Sequence, residues 1–445
     1  MELKLPAEVK TIMSKMNNAG YEIYVVGGAV RDLLTGKIVT DWDYTTNATP
    51  ESIQEVFPSS FYDNSFGTVC VPSQSDLHPH EITTYRTEHG YSDSRRPDKV
   101  EWGKSLIEDL ERRDFTINAI ALSTNKEITD PFDGQKDLKK KVIRAVGEPQ
   151  ERFSEDALRM MRAIRFASQL GFTIESSTLN AISTNATLIK KIAHERIRDE
   201  FFKILLSPYP DEGIILLRNT GLLEIILPET EKMFGVDQRS PQRHHIYDVG
   251  THALMSLKHC QSDDVITRFA TFIHDIGKPQ TYKRQDNGVV TFYNHEIVGA
   301  KIANRIADRL HLSKVQKDKL WRLVRYHQFT VDEVQTDSAI RRFIKNIGVN
   351  NIDEMLELRR ADRLGSGARE TSWRTEEFKA RIVDVQKQPF TVHDLKLTGH
   401  DIMKELSLKP GPQIGKIMDK LFQAVANKEV KNTKSALLNK LKNSL

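Results

Sequence analysis

The hydrophobic pattern of the chain changes near residue 150, and this change limits the folds that the chain can adopt. Before that point, the runs EIYVVG, TVCVP and HEITTYR contain β-branched and aromatic residues bounded by turn-forming residues, which indicates strands. After it, ALRMMRAIRFASQL, THALMSLKHC, VGAKIANRIADRL and EMLELRRADRL place apolar residues three and four positions apart, which indicates helices. We therefore predict an α+β protein, with a small mixed α/β head followed by an elongated all-α neck, body and tail.

The chain has 445 residues, which is too long for one ordinary hydrophobic core. Turn-forming and charged residues cluster at VGEPQERFS, GVDQRSPQRHH and LGSGARETS, where we expect breaks between domains. The predicted domains are a head at 1–145, a helical neck at 146–235, a second helical domain at 236–370 and a helical tail at 371–445.

Composition argues against a membrane protein and against a disulfide-bonded one. Hydrophobic residues make up 39% of the chain and charged residues 28%. No apolar run approaches the roughly 18 residues of a membrane span, and the N-terminus MELKLPAEVK lacks a signal-peptide core. Cys70 and Cys260 lie far apart, so neither a disulfide framework nor a cysteine metal site is expected. We predict a cytoplasmic protein with no membrane contact.

A glycine turn and a pair of aspartates occur close together in the head. In VVGGAVRDLL, an apolar strand runs into Gly27 and Gly28, and the helix that follows points free backbone amides at any anion bound there. In Asp41-Trp42-Asp43, the strand period of two sends both carboxylates to one side. Paired carboxylates suit Mg²⁺ together with substrate phosphates. The alternative is an exposed acidic turn.

The ordered set GGAVRD, DWD, ERRDFTINAIAL and SEDALRMMRAIRF resembles the class II tRNA nucleotidyltransferases, the CCA-adding enzymes, within the polymerase-β-like nucleotidyltransferase superfamily. The resemblance extends from about residue 20 to about residue 205. It implies a nucleotidyltransferase head that adds C, C and A to the 3′ end of tRNA, using CTP, ATP and Mg²⁺ and releasing pyrophosphate. The implied partner is the acceptor end and TΨC arm of tRNA, and the protein would be a monomer or a homodimer.

The resemblance also implies roles for individual residues. Asp41 and Asp43 would hold the catalytic Mg²⁺ ions, and Glu81 in HEITTYR is a candidate for a third carboxylate. The residues implied to bind nucleotide are Gly27, Gly28, Arg31, Asp32, Arg112, Arg113, Asp114, Asn118, Glu155, Asp156, Arg159, Arg162 and Arg165.

The stretch ERRDFTINA offers groups for phosphate and for ribose. Arg112 and Arg113 present planar donor forks that match phosphate oxygens. Asp114 and Asn118 are four residues apart, so on one helix face they could hold ribose hydroxyls. The alternative is a charged helix start with Asp114 as its N-cap.

The stretch SEDALR places Glu155, Asp156 and Arg159 within one predicted helical turn. The simplest interpretation is an ion pair within the helix, worth about 0.2–0.5 kcal/mol. The resemblance implies more, because cytosine and adenine both present an amino donor beside a ring-nitrogen acceptor. Asp156 as acceptor and Arg159 as donor would fit C and A and reject G and U.

The resemblance further implies a loop that switches the enzyme from C to A addition, with Asp93, Arg95 and Arg96 within residues 86–102. The alternative is a solvated charged loop. An A-adding tRNA nucleotidyltransferase would keep such a loop, so that activity stays open, as does a poly(A) polymerase with the same head.

A second group of residues lies in the helical body. Its order resembles the HD phosphohydrolases, and its members are His252, His274, Asp275 and Asp362, with His295 and His327 as additional candidates. Imidazole and carboxylate ligands suit Mn²⁺, Ni²⁺ or Zn²⁺ as well as Mg²⁺. The resemblance implies a phosphatase and 2′,3′-cyclic phosphodiesterase that repairs tRNA ends. The alternatives are an HD fold without metal, or an HD enzyme whose head only binds RNA.

The tail NKEVKNTKSALLNKLKNSL contains five lysines and one glutamate. Such a surface is typical of contact with phosphate, and we expect the tail to contact tRNA. A solvated terminal helix is an equal alternative.

Overall fold

The computed structural model describes residues 3–62, 67–73, 78–89, 99–103, 105–239, 246–329, 335–386, 392–426 and 429–443. The chain forms two compact units. The first unit consists of Met1–Glu231 with Arg309–His311, and the second consists of Lys232–Asp308 with Leu312–Leu445.

The first unit contains a seven-stranded sheet and two further pairs of short strands. Its strands are β1 Ile23–Val26, β2 Asp43–Thr46, β3 Phe61–Tyr62, β4 Thr68–Val71, β5 His80–Thr84, β6 Arg86–His89, β7 Lys99–Trp102, β8 Ala121–Leu122, β9 Ile128–Thr129, β10 Val142–Ile143 and β11 Thr173–Ile174. The sheet has the order β3-β4-β5-β2-β1-β8-β9, β6 pairs with β7, and β10 pairs with β11. The strands predicted from EIYVVG, TVCVP and HEITTYR are confirmed as β1, β4, and β5 with the start of β6.

The centre of the sheet sets the positions of two carboxylates. Strand β2 pairs antiparallel with β1 and parallel with β5, and in this register Asp43 lies opposite both Val26 and Glu81. The next pair along, Tyr44 and Ile82, is buried in the core on the other face of the sheet. Because side chains alternate along a strand, Asp43 and Glu81 both lie on the face away from that core.

Helices cover the first unit and form its C-terminal part. They are α1 Ala7–Asn18, α2 Gly28–Leu34, α3 Pro50–Val56, α4 Leu106–Glu111, α5 Gly134–Lys140, α6 Pro149–Glu155, α7 Leu158–Leu170, α8 Ser176–Asn185, α9 His194–Leu205, α10 Pro210–Asn219, α11 Leu222–Ile226 and α12 Pro228–Glu231, with 3₁₀ turns at Thr116–Asn118 and Ala186–Lys191. Helix α7 packs against α9 and α10, which buries most of its apolar residues.

Among the described residues, the second unit is helical apart from one short strand pair, β12 Lys283–Arg284 with β13 Val290–Thr291. Its helices are α13 Val249–His259, α14 Val265–Ile273, α15 Lys278–Thr281, α16 His295–Arg309, α17 Lys314–Tyr326, α18 Asp337–Ile347, α19 Ile352–Gly365, α20 Trp373–Gln386, α21 Gly399–Leu406, α22 Pro412–Ala426 and α23 Lys434–Asn443, with 3₁₀ turns at Val349–Asn351 and Val392–Asp394. Helix α13 packs against both α14 and α19. The last three helices bury a separate apolar cluster around Leu397, Ile402 and Leu437.

The change from a mixed α/β head to a helical body is therefore confirmed. Among the residues that the structure describes, no helix combines the length and the apolar character that a membrane crossing requires.

Two local helix predictions were wrong. In ERRDFTINA, α4 ends at Glu111, and a 3₁₀ turn at Thr116–Asn118 follows an extended Phe115. In SEDALR, α6 ends at Glu155 and α7 begins at Leu158, because Asp156 has an extended backbone. Both breaks fall in stretches that the sequence marked as functional.

Candidate functional site

A cavity of about 590 Å³ lies in the first unit, where the β1–α2 turn, the DWD loop, the end of α4 and the start of α7 meet. It brings together most of the predicted nucleotide and metal residues, namely Gly27, Gly28, Arg31, Asp32, Asp41, Asp43, Arg112, Arg113, Asp114, Asn118, Asp156, Arg159 and Arg162. Glu81 also lines this cavity. Of the predicted set, Glu155 and Arg165 are absent from its wall.

The two aspartates of DWD both line the cavity, although they belong to different local structures. Asp43 is the first residue of β2, whereas Asp41 lies in the loop before it. Trp42 between them is buried, so successive side chains of this stretch still alternate between the cavity and the core. Burial raises the pKa of Asp43, the charge of Asp41 raises it further, and Arg113 opposes both. The carboxylates of Asp41 and Asp43 therefore place two like charges close together. A hard cation such as Mg²⁺, which prefers oxygen ligands, would neutralise them.

Gly27 follows β1 and precedes α2 in a backbone conformation that favours glycine, with φ of 69°. A Cβ at this position would lie 3.1 Å from Arg113 Nη1 and 3.6 Å from Asp43 Oδ2. Because glycine has no side chain, the turn brings the backbone close to both Arg113 and Asp43 in the cavity.

Asp109 holds the two arginines of the cavity wall, and the sequence analysis did not identify it. Its side chain is buried, and it accepts hydrogen bonds from Arg112 Nε at 3.0 Å and Arg113 Nη2 at 3.2 Å. Burial alone would raise the pKa of Asp109, but the guanidinium groups of Arg112 and Arg113 outweigh it and lower the pKa. The spacing of three and four residues before two arginines was the signal that could have revealed it.

Asp114 is buried and is the centre of a second ion pair, with the partly exposed Arg162. Arg162 Nη2 lies 2.6 Å from its Oδ2, and Asn118 Nδ2 donates to its Oδ1 at 3.1 Å. Burial by itself would raise the pKa of Asp114, yet Arg162 and then Asn118 lower it to about 2. Asp114 and Asn118 are therefore in contact through a 3₁₀ turn, and not on the helix face that the sequence predicted. Arg31 Nη1 donates to Asn118 Oδ1 at 3.0 Å and extends this network.

Asp156 and Arg159 both line the cavity, and each is held by a neighbour. Glu155 Oε2 lies 2.7 Å from Arg159 Nη1, so Glu155 positions the arginine from outside the wall. Asp156 Oδ1 accepts from the amide of Leu158 at 3.0 Å, and Arg196 Nη2 lies 3.3 Å from Oδ2. Arg196 itself lines the cavity and was not predicted.

Arg165 lies on the buried side of α7. Its Nη1 is 3.2 Å from Glu200 Oε1, and its guanidinium is 4.3 Å from the ring centroid of Phe166. Burial lowers the pKa of Arg165, although Glu200 opposes this effect. Phe166 lines the cavity, so Arg165 contacts the wall through that ring.

Asp93, Arg95 and Arg96, the residues predicted for a switch from C to A, lie outside the described residues.

The second unit gathers six histidine and aspartate side chains from five separate segments. They are His252 on α13, His274 and Asp275 after α14, His295 at the start of α16, His327 after α17 and Asp362 on α19. All are buried except Asp362, whose side chain is 17% exposed. A cavity of about 430 Å³ adjoins the cluster, and all of these residues except His252 line it, together with Lys278 and Arg359.

The Nε2 atoms of these histidines face one another or an aspartate. His252 Nε2 lies 3.1 Å from Asp362 Oδ1, and His274 Nε2 lies 3.2 Å from Asp275 Oδ2. Burial alone would raise the pKa of Asp275, but His274 and Lys278 hold it well below its usual range. Burial alone would also raise the pKa of Asp362, but His252 and His274 outweigh it and lower that pKa.

The backbone fixes the tautomers of three histidines. The Nδ1 atoms of His274, His295 and His327 each lie 2.8 Å from a backbone carbonyl oxygen. A carbonyl only accepts, so each Nδ1 must be the protonated donor, and Nε2 is then available as a ligand. The donor set of imidazole nitrogen and carboxylate oxygen therefore fits a divalent metal.

Comparison with known proteins assigns the class of the first unit. The model of the "Poly A polymerase head domain" matches residues 23–144, which span the sheet and most of the motifs above. A model described as "Probable RNA and SrmB- binding site of polymerase A" matches residues 171–234, and a model of tRNA nucleotidyltransferase domain 2 matches residues 300–441. The fold and the cavity thus define a nucleotidyltransferase.

Full-length relatives narrow this class. The CCA-adding enzyme of Pediococcus pentosaceus is 34% identical over 97% of this chain and 96% of its own length. The CCA-adding enzyme of Lactiplantibacillus plantarum is 35% identical over 98% of this chain and 96% of its own length. The crystal structure of the Bacillus stearothermophilus CCA-adding enzyme in complex with CTP has a TM-score of 0.71 at 28% identity, covering 98% of this chain and 96% of that one. The chain belongs to the family of CCA-adding enzymes.

Proposed function

We propose that this protein adds C, C and A to the 3′ end of tRNA, using CTP and ATP and releasing pyrophosphate. The observation that carries the proposal is a cavity of the first unit in which the four motif segments meet. Family membership supports the same activity, since relatives of similar length are named CCA-adding enzymes.

In this proposal, the acidic side of the cavity holds Mg²⁺ and the basic side holds the triphosphate. Asp41 and Asp43 are the metal ligands, and Glu81, opposite Asp43 in the sheet, is the candidate third carboxylate. Mg²⁺ held by these carboxylates would neutralise charge that develops on the phosphates during transfer. The 3′-hydroxyl of the tRNA would release its proton to water, and its oxygen would form a bond to the α-phosphorus as the bond to pyrophosphate breaks.

The triphosphate would lie between the glycine turn and the arginines. Gly27 and Gly28 allow close approach of the backbone, and Arg112 and Arg113 present guanidinium groups that Asp109 holds in place. Arg31, paired with Asp32 at 2.9 Å, would add a further donor at the same end.

Ribose and base would contact other groups of the same cavity. The network of Asp114, Asn118 and Arg162 offers donors and acceptors to the 2′- and 3′-hydroxyls. Asp156 would accept from the exocyclic amino group of C or A, and Arg159 would donate to the adjacent ring nitrogen. Glu155 and Arg165 would act indirectly, by holding Arg159 and by packing behind Phe166.

The test uses two synthetic tRNAs with Mg²⁺, one ending at the discriminator base and one ending in CC. Each is offered CTP alone, ATP alone, or both. We expect the first tRNA to gain two residues with CTP and three with both nucleotides. Extension of only the CC-ended tRNA, by a single A, would instead identify an A-adding enzyme. A long A tract with ATP alone would identify a poly(A) polymerase.

The variant Asp41→Ala tests whether nucleotide addition depends on this cavity. It should abolish incorporation, whereas Glu55→Ala, which changes an exposed acidic residue on α3 outside the cavity, should leave incorporation unchanged. Incorporation by Asp41→Ala at the wild-type rate would show that the proposed centre is wrong. In that case the head would be an RNA-binding module and the second unit the main candidate for activity.

We also propose that the second unit is an HD-type metal-dependent phosphohydrolase that acts on tRNA 3′ ends. The observation that favours it is the buried cluster of four histidines and two aspartates beside a cavity of about 430 Å³. Lys278 and Arg359 add positive charge to the wall of that cavity, which suits a phosphate ester.

Hydrolysis of 2′,3′-cyclic AMP and of p-nitrophenyl phosphate, measured with Mg²⁺, Mn²⁺, Ni²⁺ and Zn²⁺ in turn, tests this second activity. His274→Gln should abolish hydrolysis and keep CCA addition, because it lies in the second unit. The matched control is His259→Gln, on α13 but outside the cluster. Equal hydrolysis by wild type and His274→Gln would show that this cluster is not the hydrolytic site.

A further inference from the structure

A pair of threonine hydroxyl groups also lines the cavity of the first unit. Thr68 on β4 and Thr83 on β5 lie opposite each other in the sheet register, and their Oγ1 atoms are 3.0 Å apart. Both residues line the cavity, and they are separate from the groups proposed for metal, triphosphate and base. We infer that this pair binds the ribose at the 3′ end of the tRNA, through its 2′-hydroxyl group.

The order of the strands separates the threonine pair from the glycine turn. Neighbouring strands of the sheet follow the order β4, β5, β2, β1. Gly27 follows β1, Asp43 begins β2, and Glu81 and Thr83 lie on β5. Across the sheet, the turn proposed for the triphosphate therefore comes first, the proposed metal ligands come next, and the threonine pair comes last.

This order agrees with the direction of the proposed reaction. In phosphoryl transfer, the attacking and leaving oxygens lie roughly in line on either side of the phosphorus, and metal ions stabilise both oxygens. If pyrophosphate leaves near the glycine turn beside β1, the 3′-hydroxyl must approach from the part of the cavity formed by β5 and β4. The terminal nucleotide of the tRNA then lies next to the threonine pair.

The spacing along β5 suits two neighbouring hydroxyl groups of one ribose. Thr83 comes two residues after Glu81, so both side chains lie on the same face, about 7 Å apart along the strand. Ile82 between them and Val69 beside Thr68 are buried on the other face. A 3′-hydroxyl bound near Glu81 leaves the 2′-hydroxyl, on the next carbon of that ribose, within reach of the threonines.

The threonine pair can bind a hydroxyl group in addition to its internal hydrogen bond. Each threonine hydroxyl has one hydrogen and two acceptor lone pairs. The bond between the two Oγ1 atoms uses one hydrogen and one lone pair, so the pair can still donate one hydrogen bond and accept others. A ribose 2′-hydroxyl both donates and accepts, whereas deoxyribose lacks this group. The pair should therefore favour an RNA end over a DNA end.

Arg86 supplies a positive charge for the phosphate of the same nucleotide. It comes three residues after Thr83, is half-buried and lines the same cavity. A guanidinium group matches the geometry of phosphate oxygens. The terminal nucleotide of a tRNA presents both a ribose hydroxyl and a phosphate, so it fits the threonine pair together with Arg86.

This inference rests on the proposed addition of C, C and A and names residues that bind the tRNA end. The experiment compares two forms of a synthetic tRNA ending at the discriminator base, one with a terminal ribose and one with a terminal 2′-deoxyribose. The full chain with Mg²⁺ and CTP is used, and kcat/KM for the tRNA is measured for the first addition. The same two forms of a tRNA ending in CC are compared with ATP. In parallel, CTP is compared with dCTP on the tRNA that has the terminal ribose.

We expect the wild type to prefer the terminal ribose by roughly three- to tenfold, which is the effect of one neutral hydrogen bond. Thr83→Val should remove this preference and keep the preference for CTP over dCTP. Thr83→Ser retains a hydroxyl group and should keep both preferences. Thr129→Val is the matched control, because Thr129 lies on β9 at the other edge of the sheet and outside the cavity. Thermal unfolding checks each variant, and Thr68→Val gives the same test if Thr83→Val does not fold.

The same preference for a terminal ribose in wild type and Thr83→Val would overturn the inference, as would a wild type that extends both ends equally. A loss of the preference for CTP over dCTP in Thr83→Val would also overturn it, because the pair would then contact the incoming nucleotide. The proposed function is tested separately by the wild type. No addition to any of the tRNAs would reject that function and the inference with it, whereas addition with a ribose preference that Thr83→Val retains would reject the inference alone.

Discussion

Arg162 on α7 forms an ion pair with Asp114, which lies 48 residues earlier in the chain, with Nη2 and Oδ2 2.6 Å apart. The pair connects the segment that follows α4 with the helix that follows Asp156. It therefore couples the groups proposed to hold ribose to those proposed to select the base.

The stability contributed by this pair should depend on pH below 4. The folded-state pKa of Asp114 is about 2, below its ordinary value of 3.8. The contribution is therefore fully present above pH 3.8 and is lost as pH falls through 2, because protonation then removes the charge that pairs with Arg162. We expect Asp114→Asn to lower the free energy of unfolding by about 2 kcal/mol at pH 7 and by progressively less from pH 4 to pH 2. Denaturant unfolding at each pH measures the difference.

A difference between wild type and Asp114→Asn that stays constant from pH 7 to pH 2 would contradict this account. Asp133→Asn is the control, because Asp133 is largely exposed and its ion pair with Lys136 is on the surface. That substitution should change the free energy of unfolding very little at any pH.

Asp109 should be required for binding of the triphosphate, although it does not line the cavity. Asp109→Asn keeps the size of the side chain but removes the charge that holds Arg112 and Arg113. We expect the KM for CTP to rise about tenfold or more, since losing one charge-assisted hydrogen bond costs roughly 1.5–3 kcal/mol. Steady-state incorporation of CTP into the tRNA ending at the discriminator base measures this effect.

Glu111→Gln is the matched control, because Glu111 is an exposed residue of the same helix. It should leave the KM for CTP unchanged. A fall in kcat with no change in KM for Asp109→Asn would mean that the arginines act on the transferring phosphate rather than in binding.

Gly27→Ala should damage both stability and activity, whereas Gly20→Ala should damage stability alone. Both glycines have positive φ, which other residues rarely adopt, so alanine costs about 1–3 kcal/mol at either position. Only at Gly27 would the added Cβ contact the site, 3.1 Å from Arg113 Nη1, because nothing lies within 4 Å at Gly20. We expect similar losses of thermal stability, but reduced CTP incorporation only for Gly27→Ala. Equal incorporation by the two variants would show that the turn tolerates a side chain near the triphosphate.

The arrangement of the first unit could be predicted in outline because its motifs are dense and ordered along the chain. The sequence did not reveal where the helices break. Asp156 was expected within a helix. Instead, its Oδ1 accepts a hydrogen bond from the amide of Leu158, the first residue of α7, so a new helix begins there. Local hydrogen bonding by aspartate competes with helix formation in this way. The break directs the Asp156 side chain towards the cavity.

The sequence also could not show which charged residues, distant from one another along the chain, form ion pairs. The lysine-rich tail was expected to contact phosphate, yet three of its lysines have carboxylate partners. Lys434 Nζ lies 2.6 Å from Asp401, and Lys442 Nζ lies 2.8 Å from Glu405, both on α21. The composition of the tail gives its net charge but not its partners, so contact of this tail with tRNA stays a prediction.

The base-selecting role of Asp156 should depend on Arg196, which the sequence analysis did not identify. Arg196 Nη2 lies 3.3 Å from Asp156 Oδ2, and both residues line the cavity. Without Arg196, the Asp156 carboxylate can rotate and lose its alignment with the amino group of C or A. We expect Arg196→Ala to lower the ratio of CTP to UTP incorporation by about tenfold, a loss of roughly 1.4 kcal/mol in discrimination. Arg198→Ala, two residues further along α9 and paired with Asp199, should keep the wild-type ratio. If Arg196→Ala lowers both rates equally, Arg196 contributes to binding of nucleotide or tRNA and not to the choice of base.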